Sequence, residues 1–109
     1  MSYNRYDVCW VDLEPVRGSE LSKTRPAVIV SLDVLNQYLE TVVVCPLTTS
    51  LHPGWRSRLV VNAAGKKAEV AADQIRVISK SRLGKKIGAL DSKEIAALKR
   101  LLSEMYGEG

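Results

Sequence analysis

The sequence is poor in the residues from which metal centres, disulfide frameworks and membrane spans are built. Its 109 residues include no phenylalanine, one histidine and two cysteines, Cys9 and Cys45. One histidine and two distant cysteines give no cluster with the spacing of a zinc site. Both cysteines fall in apolar runs, where a thiol usually packs as a small hydrophobe, and a disulfide is uncommon in the cytosol.

No apolar run is long enough to span a bilayer, and the first residues, MSYNRYD, lack the apolar core of a secretion signal. We therefore expect a cytoplasmic protein with no metal, no cofactor and no membrane partner. A length of 109 residues is near the commonest domain size, which predicts a single domain over 1–109.

Positive charge is concentrated in the second half of the chain. The net charge is +4, and residues 54–86 carry nine Lys or Arg against two acidic residues, Glu69 and Asp73. A local excess of cations attracts polyanions through counterion release, although any single one of these residues is equally well explained as a solvated surface cation.

Short apolar and β-branched runs predict a protein made mainly of strands. A loop over 14–24 follows the first run, is too long for a hairpin turn, and is of a length that is more often functional than idle. Residues 32–39 predict one or two helical turns. The predicted strands span 6–13, 25–31, 41–47, 56–61, 67–72 and 75–79.

The last segment, LDSKEIAALKRLLSEMYGEG, predicts an amphipathic helix. Asp91 and Glu94 have the spacing of a capping box, and Gly107 is where a left-handed terminator is expected. One apolar stripe follows at helical spacing, formed by Ile95, Leu98, Leu101, Leu102 and Met105. Strands followed by one helix predict a strongly curved antiparallel sheet, or open barrel, sealed by that helix.

Two polar sites interrupt the apolar strands. Arg25 directly precedes the strand PAVIVS, where a guanidinium is held by rigid backbone and matches two phosphate oxygens. For an isolated arginine a surface ion pair is the commoner role. Thr48, Thr49 and Ser50 follow another apolar strand, and their hydroxyls either donate to a phosphate oxygen or cap a turn.

Five segments in this order make the sequence resemble the MazF/PemK toxins, which are homodimeric endoribonucleases of toxin–antitoxin modules. The segments are VDLEPVRGSE, RPAVIVS, VVCPLTTS, ADQIRVISKSRLGKKIGAL and the closing helix. The resemblance implies a small SH3-like open barrel of the MazF/PemK/CcdB type. It also implies metal-independent cleavage of single-stranded mRNA at short sequences, dimerisation, and inhibition by a cognate antitoxin with an acidic disordered tail.

By this resemblance Arg25 and Thr48 are the catalytic pair, which clamps the phosphate and stabilises the transition state. Glu20 either accepts the proton of the attacking 2′-hydroxyl or orients Arg25. That attack leaves a 2′,3′-cyclic phosphate and a 5′-hydroxyl. The chain departs from one branch of the family, which has a histidine at the position of Ser19 and an arginine at that of Ala71.

Further residues are interpreted as RNA-binding. Trp55 between cations suits base stacking, although a packed loop anchor or an antitoxin contact is equally consistent. Asp73 and Gln74 either orient the loop or read a base edge, Arg76 is equally well a structural ion pair, and His52 is placed in a turn-like loop outside the catalytic set. The predicted RNA-binding residues are Ser19, Lys23, Thr49, Ser50, Trp55, Arg56, Arg58, Asp73 and Gln74.

Two other functions fit a basic barrel. A CcdB-like gyrase poison acts through a C-terminal tail containing tryptophan, whereas this chain ends in MYGEG. A non-catalytic RNA-binding barrel needs only the basic segment. The sequence does not determine the RNA sequence that would be cut.

Overall fold

The computed structural model describes residues 3–14, 18, 20, 21 and 23–107. Two helices are seen in these ranges, α1 (Asp33–Tyr38) and α2 (Ser92–Tyr106), with single 3₁₀ turns at Ala72–Gln74 and Lys80–Arg82. The strands are β1 (Asp7–Asp12), β2 (Thr24–Ile29), β3 (Thr41–Thr48), β4 (Arg58–Ala63), β5 (Lys66–Ala71), β6 (Arg76–Ser79) and β7 (Leu83–Ala89).

The strands form one curled antiparallel sheet in the order β4-β5-β3-β2-β1-β7, with β6 also paired to β3. Strand β3 causes the curl because it changes partners along its length. Residues 41–44 pair with β6, residues 44–46 pair with β2 on the other side, and Leu47 and Thr48 pair with β5. The predicted class, mainly β with a curved antiparallel sheet and a C-terminal helix, is confirmed.

Alternation of side chains along β1, β2 and β3 divides the core into two clusters. Cys45 packs in the cluster that includes Val28, Leu47 and Leu98, and Cys9 in the one that includes Ala27. Both cysteines are free and buried. Burial raises the pKa of the Cys9 thiol to about 11 and that of Cys45 to about 12, so both thiols stay protonated at neutral pH.

Helix α2 begins with the predicted capping box. The Asp91 carboxylate accepts from the Glu94 amide at 2.8 Å, and the Glu94 carboxylate accepts from the Asp91 amide at 2.9 Å. Glu94 also accepts from the Asn62 amide at 2.8 Å, which joins the helix to β4. Leu98, fully buried, anchors the apolar stripe in the core. The expected left-handed terminator is wrong, because Gly107 has an extended backbone with φ −78°.

Strand β7 is the element that the sequence pattern missed. Its sequence, LGKKIGA, contains two glycines and two lysines, so apolar and polar residues do not alternate along it. The structure explains one glycine, since a Cβ on Gly84 would lie only 3.3 Å from the Trp10 Cβ across the β1–β7 pairing. Trp10 itself is exposed.

Helix α1 occupies the segment in which one or two helical turns were expected. No helix within the described ranges is long and apolar enough to cross a membrane.

Candidate active site

The pairing of β2, β3 and β5 sets the residues of the site in a row. Ala27 pairs with Pro46, and two residues beyond this pair lie Arg25 on β2 and Thr48 on β3, at the same end of the ladder. Thr48 in turn is the Cα partner of Glu69 on β5. The order across the sheet is therefore Arg25, Thr48, Glu69.

The row lies on one face of the sheet. Side chains alternate along a strand, so Arg25 is on the face of Ala27, and Thr48 is on the face of Val44. Ala27 and Val44 belong to the same core cluster, and Thr48 faces the same way as its partner Glu69. Arg25 is half-buried and Thr48 is buried, so the backbone of a rigid sheet positions both.

Thr48 marks the point where β3 leaves the core for the following loop. Its hydroxyl oxygen accepts a hydrogen bond from the Ser50 amide at 3.1 Å. Thr49 and Ser50 are exposed beside it. The turn-capping role of Thr48 is thus realised, and the hydroxyl proton stays available for a second acceptor because a hydroxyl both donates and accepts.

Glu69 is a charged side chain only 2% exposed in the interior of β5. Its carboxylate accepts from the His52 amide at 2.7 Å and from Arg58 Nη1 at 3.0 Å, and it lies 3.3 Å from His52 Nδ1. Burial acts to raise the pKa of this carboxyl, but the hydrogen bonds from His52 and Arg58 outweigh it and hold the pKa below its ordinary value. Glu69 is therefore a carboxylate at neutral pH and ties the 49–58 loop to the sheet.

Arg58 joins Glu69 to Asp73. Its Nε donates to Asp73 Oδ1 at 2.7 Å, and its side chain is 6% exposed. The hydrogen bond to Asp73 is the main cause that raises the pKa of Arg58. Burial acts to raise the pKa of Asp73, but Arg58 lowers it below its ordinary value. Glu69, Arg58 and Asp73 together carry a net charge of about −1 at neutral pH.

Trp55 lies over this charged cluster. The His52 and Trp55 rings are stacked with centroids 4.0 Å apart, and the Arg58 guanidinium lies 4.8 Å from the Trp55 centroid. Because Arg58 Nη1 and His52 Nδ1 are only 3.1 Å apart, both groups lie on the same side of the indole. Trp55 is nevertheless 51% exposed, so its other face is open to a stacking partner.

These residues line one cleft of about 380 Å³. Gln74 accepts from the Leu21 amide at 3.2 Å, which connects the 14–24 segment to the 3₁₀ turn at one wall. The lining residues are Leu21, Thr48, Ser50, His52, Trp55, Arg58, Asp73 and Gln74.

The structure brings together some of the predicted site residues and separates others. Six of them line the cleft, namely Thr48, Ser50, Trp55, Arg58, Asp73 and Gln74. Arg25 lies on the neighbouring strand, and Glu20, Lys23, Thr49 and Arg56 are exposed outside the cleft lining. Ser19 lies outside the described residues.

Asp73 and Gln74 hold Arg58 and the Leu21 amide, which corresponds to the loop-orienting role considered for them. Arg76 donates to the Leu13 carbonyl at 3.3 Å, a backbone contact in place of the suggested ion pair. No group of three or more His, Cys, Asp or Glu side chains arranged to hold a metal occurs in the part of the chain that the structure describes.

Sequence reasoning did not name Glu69 as a site residue, and it did not place His52 in the cleft. Glu69 stands in KAEVAA with no motif around it, and only its pairing with Thr48 reveals its place. His52 enters the cleft because Glu69 holds both its amide and its ring. A carboxylate in the middle of an otherwise buried strand is the available signal, since such a charge is rarely buried without a partner.

A second cavity, here called the apolar groove, has a volume of about 530 Å³. Val77 on β6 and Tyr106 at the end of α2 are large hydrophobic residues exposed at it. The groove is lined by Val30, Ser31, Leu32, Leu35, Val43, Ile75, Arg76, Val77, Leu102 and Tyr106.

Comparisons with known proteins agree on one class. The fold is that of MazF from Deinococcus radiodurans, with a TM-score of 0.86 over 99% of both chains at 22% identity. A mycobacterial endoribonuclease solved with its cognate antitoxin has the same fold, with a TM-score of 0.83 over 99% of this chain and 98% of that one at 22% identity.

In sequence, the chain is 33% identical to endoribonuclease MazF9 of Mycobacterium tuberculosis, over 90% of this chain and 91% of that protein. It is 32% identical to endoribonuclease MazF of Staphylococcus epidermidis, over 94% and 90% respectively. The family model of PemK-like, MazF-like toxins of type II toxin-antitoxin systems matches residues 4–106. The chain belongs to this family.

Proposed function

We propose that this endoribonuclease cleaves single-stranded mRNA at short specific sequences, without a metal, by attack of the 2′-hydroxyl on the adjacent phosphate. The products are a 2′,3′-cyclic phosphate and a 5′-hydroxyl. The observation that carries the proposal is the placement of Arg25 and Thr48 on the same sheet face, at the same end of the β2–β3 ladder. A guanidinium and a hydroxyl so placed can hold two oxygens of one phosphate.

The chemistry follows from what the substrate supplies. RNA supplies its own nucleophile, so the protein needs to accept one proton, donate another and stabilise the charge on the phosphorane. Arg25 stays charged at any ordinary pH, and the half-buried strand that holds it limits reorganisation. Thr48 donates its hydroxyl proton to a phosphate oxygen, and Glu20 accepts the proton of the 2′-hydroxyl.

Single-stranded RNA has unstacked bases, which aromatic side chains bind. The open face of Trp55 is such a surface, and its other face is fixed by His52 and Arg58. Both acids of the basic 54–86 segment, Glu69 and Asp73, are paired with Arg58, so they do not neutralise the segment's other cations. One of those cations, Lys86, is paired with Asp7 at 3.1 Å, and the rest can attract phosphates. Lys23, Thr49, Ser50, Arg56, Gln74 and Ser19 complete the proposed RNA-binding set.

The proposed protein partners are a second copy of the chain and an antitoxin. The apolar groove exposes Val77 and Tyr106 as a surface that a second copy would cover. A relative of the same fold was solved with its cognate antitoxin. An acidic disordered segment is the complement of the basic 54–86 segment.

The proposal is tested by incubating the protein with a long single-stranded RNA in excess chelator and mapping the ends. We expect discrete cuts that persist in chelator, 5′-hydroxyl ends that polynucleotide kinase labels, and 3′ ends that resist phosphatase until the cyclic phosphate is opened. Arg25→Ala should abolish cleavage, while Arg100→Ala, on the exposed face of α2, should not. Cleavage that needs added metal contradicts the mechanism, and RNA that is bound but never cut indicates a non-catalytic barrel.

A further inference from the structure

We propose that His52 is the general acid that protonates the leaving 5′-oxygen, and that Glu69 is its positioning residue. The inference rests on the proposed cleavage reaction, for which the roles given to Arg25, Thr48 and Glu20 leave no proton donor. His52 is the only histidine of the sequence and lines the same cleft as Thr48.

Three contacts with two residues hold His52 in place. Its amide donates to Glu69 Oε2 at 2.7 Å, its Nδ1 lies 3.3 Å from Glu69 Oε1, and its ring stacks on Trp55 at 4.0 Å. A ring fixed in this way needs little free energy of reorganisation when it transfers a proton. No hydrogen bond to Nε2 is found among the described residues, and the side chain is 33% exposed. The atom left for the substrate is therefore Nε2.

The charged groups around His52 carry a net negative charge. The charged groups facing it are Glu69 from β5 and Arg58 from β4, with Asp73 of the 3₁₀ turn behind Arg58; Thr48 from β3 and Trp55 are uncharged. With one cation and two carboxylates this cluster has a net charge of −1, and an imidazolium brings it to zero. Glu69 Oε1 then accepts both from Arg58 Nη1, which lies 3.1 Å from Nδ1, and from Nδ1–H, and this fixes the ring so that Nε2–H donates.

The row across the sheet places His52 on the side of Thr48 that is away from Arg25. Arg25 precedes Thr48 in this row, whereas Glu69 follows Thr48 and holds His52. In-line attack needs the acid beside the departing 5′-oxygen, opposite the entering 2′-oxygen, and His52 lies on one side of a phosphate held by Arg25 and Thr48.

The step balances in atoms and protons. The 2′-hydroxyl gives its proton to Glu20 as the P–O2′ bond forms, and the P–O5′ bond breaks as the 5′-oxygen takes the proton of His52 Nε2. Water then carries a proton from Glu20 to His52 and restores both groups. Neither a metal nor an oxidant enters the step.

The test compares two substrates cut at the site mapped on the long RNA, one natural and one with sulfur in place of the bridging 5′-oxygen. A thiolate leaves without being protonated, so it needs no general acid. We expect His52→Gln to lower the single-turnover rate about 100-fold or more on the oxygen substrate. On the sulfur substrate the variant and the unmodified protein should cleave at nearly equal rates.

Glu69→Gln tests the positioning role through the pH profile. A general acid must be protonated, so the rate on the oxygen substrate should fall at high pH, and this limb should be missing in His52→Gln. Removal of the Glu69 charge disfavours the imidazolium, so Glu69→Gln should move the limb to lower pH. The matched control is Glu94→Gln on α2, another carboxylate that accepts a backbone amide, in this case that of Asn62 on β4. It should leave the limb where it is.

The outcomes separate this proposal from the one on which it rests. Equal losses on both substrates, or an unchanged rate in His52→Gln, overturn the role of His52 and leave the nuclease intact. An unmoved pH limb in Glu69→Gln overturns the role of Glu69. Circular dichroism and RNA-binding measurements on each variant identify a loss of fold. If the unmodified protein cuts no RNA, both proposals fall together.

Discussion

Thr48 on β3 and Glu69 on β5 are directly opposed in their antiparallel ladder, and both side chains are buried. One is proposed to contact the substrate, whereas the other binds the loop that forms the cleft wall. Two adjacent backbone positions thus fix both the phosphate-binding hydroxyl and the position of His52 and Trp55. The cleft depends on strand register for its geometry as well as on the loop.

Replacement of Thr48 by valine should abolish most of the activity with little loss of stability. The side chain keeps its shape but loses the proposed donor, and the loss of one such donor costs about 100- to 1000-fold in rate. The amide of Ser50, which is exposed, loses its acceptor and finds water instead. Single-turnover cleavage and urea unfolding measure the two effects.

Thr48→Ser is the matched control, because it keeps the hydroxyl and removes only a methyl group. It should retain most of the cleavage rate. A Thr48→Val protein that cuts RNA as fast as the unmodified one would show that the hydroxyl only caps the turn.

The ion pairs of Arg58 should make stability fall in acid. The pKa values of Glu69 and Asp73 are both lowered in the folded protein. Their contribution is therefore complete above the unfolded-state values of about 4.3 and 3.9, and it is lost as the pH falls through the lower folded values. The free energy of unfolding, measured in urea, should decrease from pH 7 toward pH 3.

Glu69→Gln and Asp73→Asn should each reduce this pH dependence, while Glu104→Gln, exposed on α2, should leave it unchanged. Glu69→Ala is expected to cost about 3 kcal/mol or more at pH 7, because it leaves the buried Arg58 side chain without one partner. If the free energy of unfolding depends on pH in the same way in Glu69→Gln, Asp73→Asn and Glu104→Gln, other carboxylates control acid unfolding.

The sequence predicts the fold better than it predicts the cleft. The reason is that the fold follows from local patterns, whereas the cleft depends on contacts between residues that are far apart in the chain. The capping box of α2 and the apolar run of β3 are local patterns, so Asp91, Glu94 and the class of fold can be predicted from the sequence. The place of Glu69 in the site depends on its pairing with Thr48, 21 positions away, and no local pattern predicts that pairing. His52 depends on Glu69 in turn.

Strand β7 shows the opposite case, in which a local pattern is misleading. Gly84 weakens the strand signal, yet tertiary packing against Trp10 leaves little room for any side chain there. Contacts across the sheet therefore override intrinsic preference at the edge strand.

The apolar groove should make the protein self-associate. A lysine at Val77, which is 63% exposed on β6, places a charge in the surface that a second copy would cover. We expect light scattering to give about 24 kDa for the unmodified protein, twice the 12.0 kDa of one chain, and a single-chain mass for Val77→Lys. The matched control is Val60→Lys, at another exposed valine of a strand, which is 47% exposed on β4 and lies outside the groove. If both lysine variants have the mass of a single chain, or if neither has, the groove is not the interface.

Trp55 should contribute to RNA binding through its ring and not through its neighbours' charge. Stacking on an aromatic side chain is worth about 1–3 kcal/mol per base, so Trp55→Ala should weaken the binding of a single-stranded oligonucleotide about 5- to 150-fold. Trp55→Phe should keep much of the affinity. Arg56→Ala, in the same loop and exposed, removes a cation instead and should mainly reduce the salt dependence of binding. Titrations in a Trp10→Phe background follow the quenching of the Trp55 fluorescence, and unquenched fluorescence at saturating RNA would show that the open face of the indole is not where the base binds.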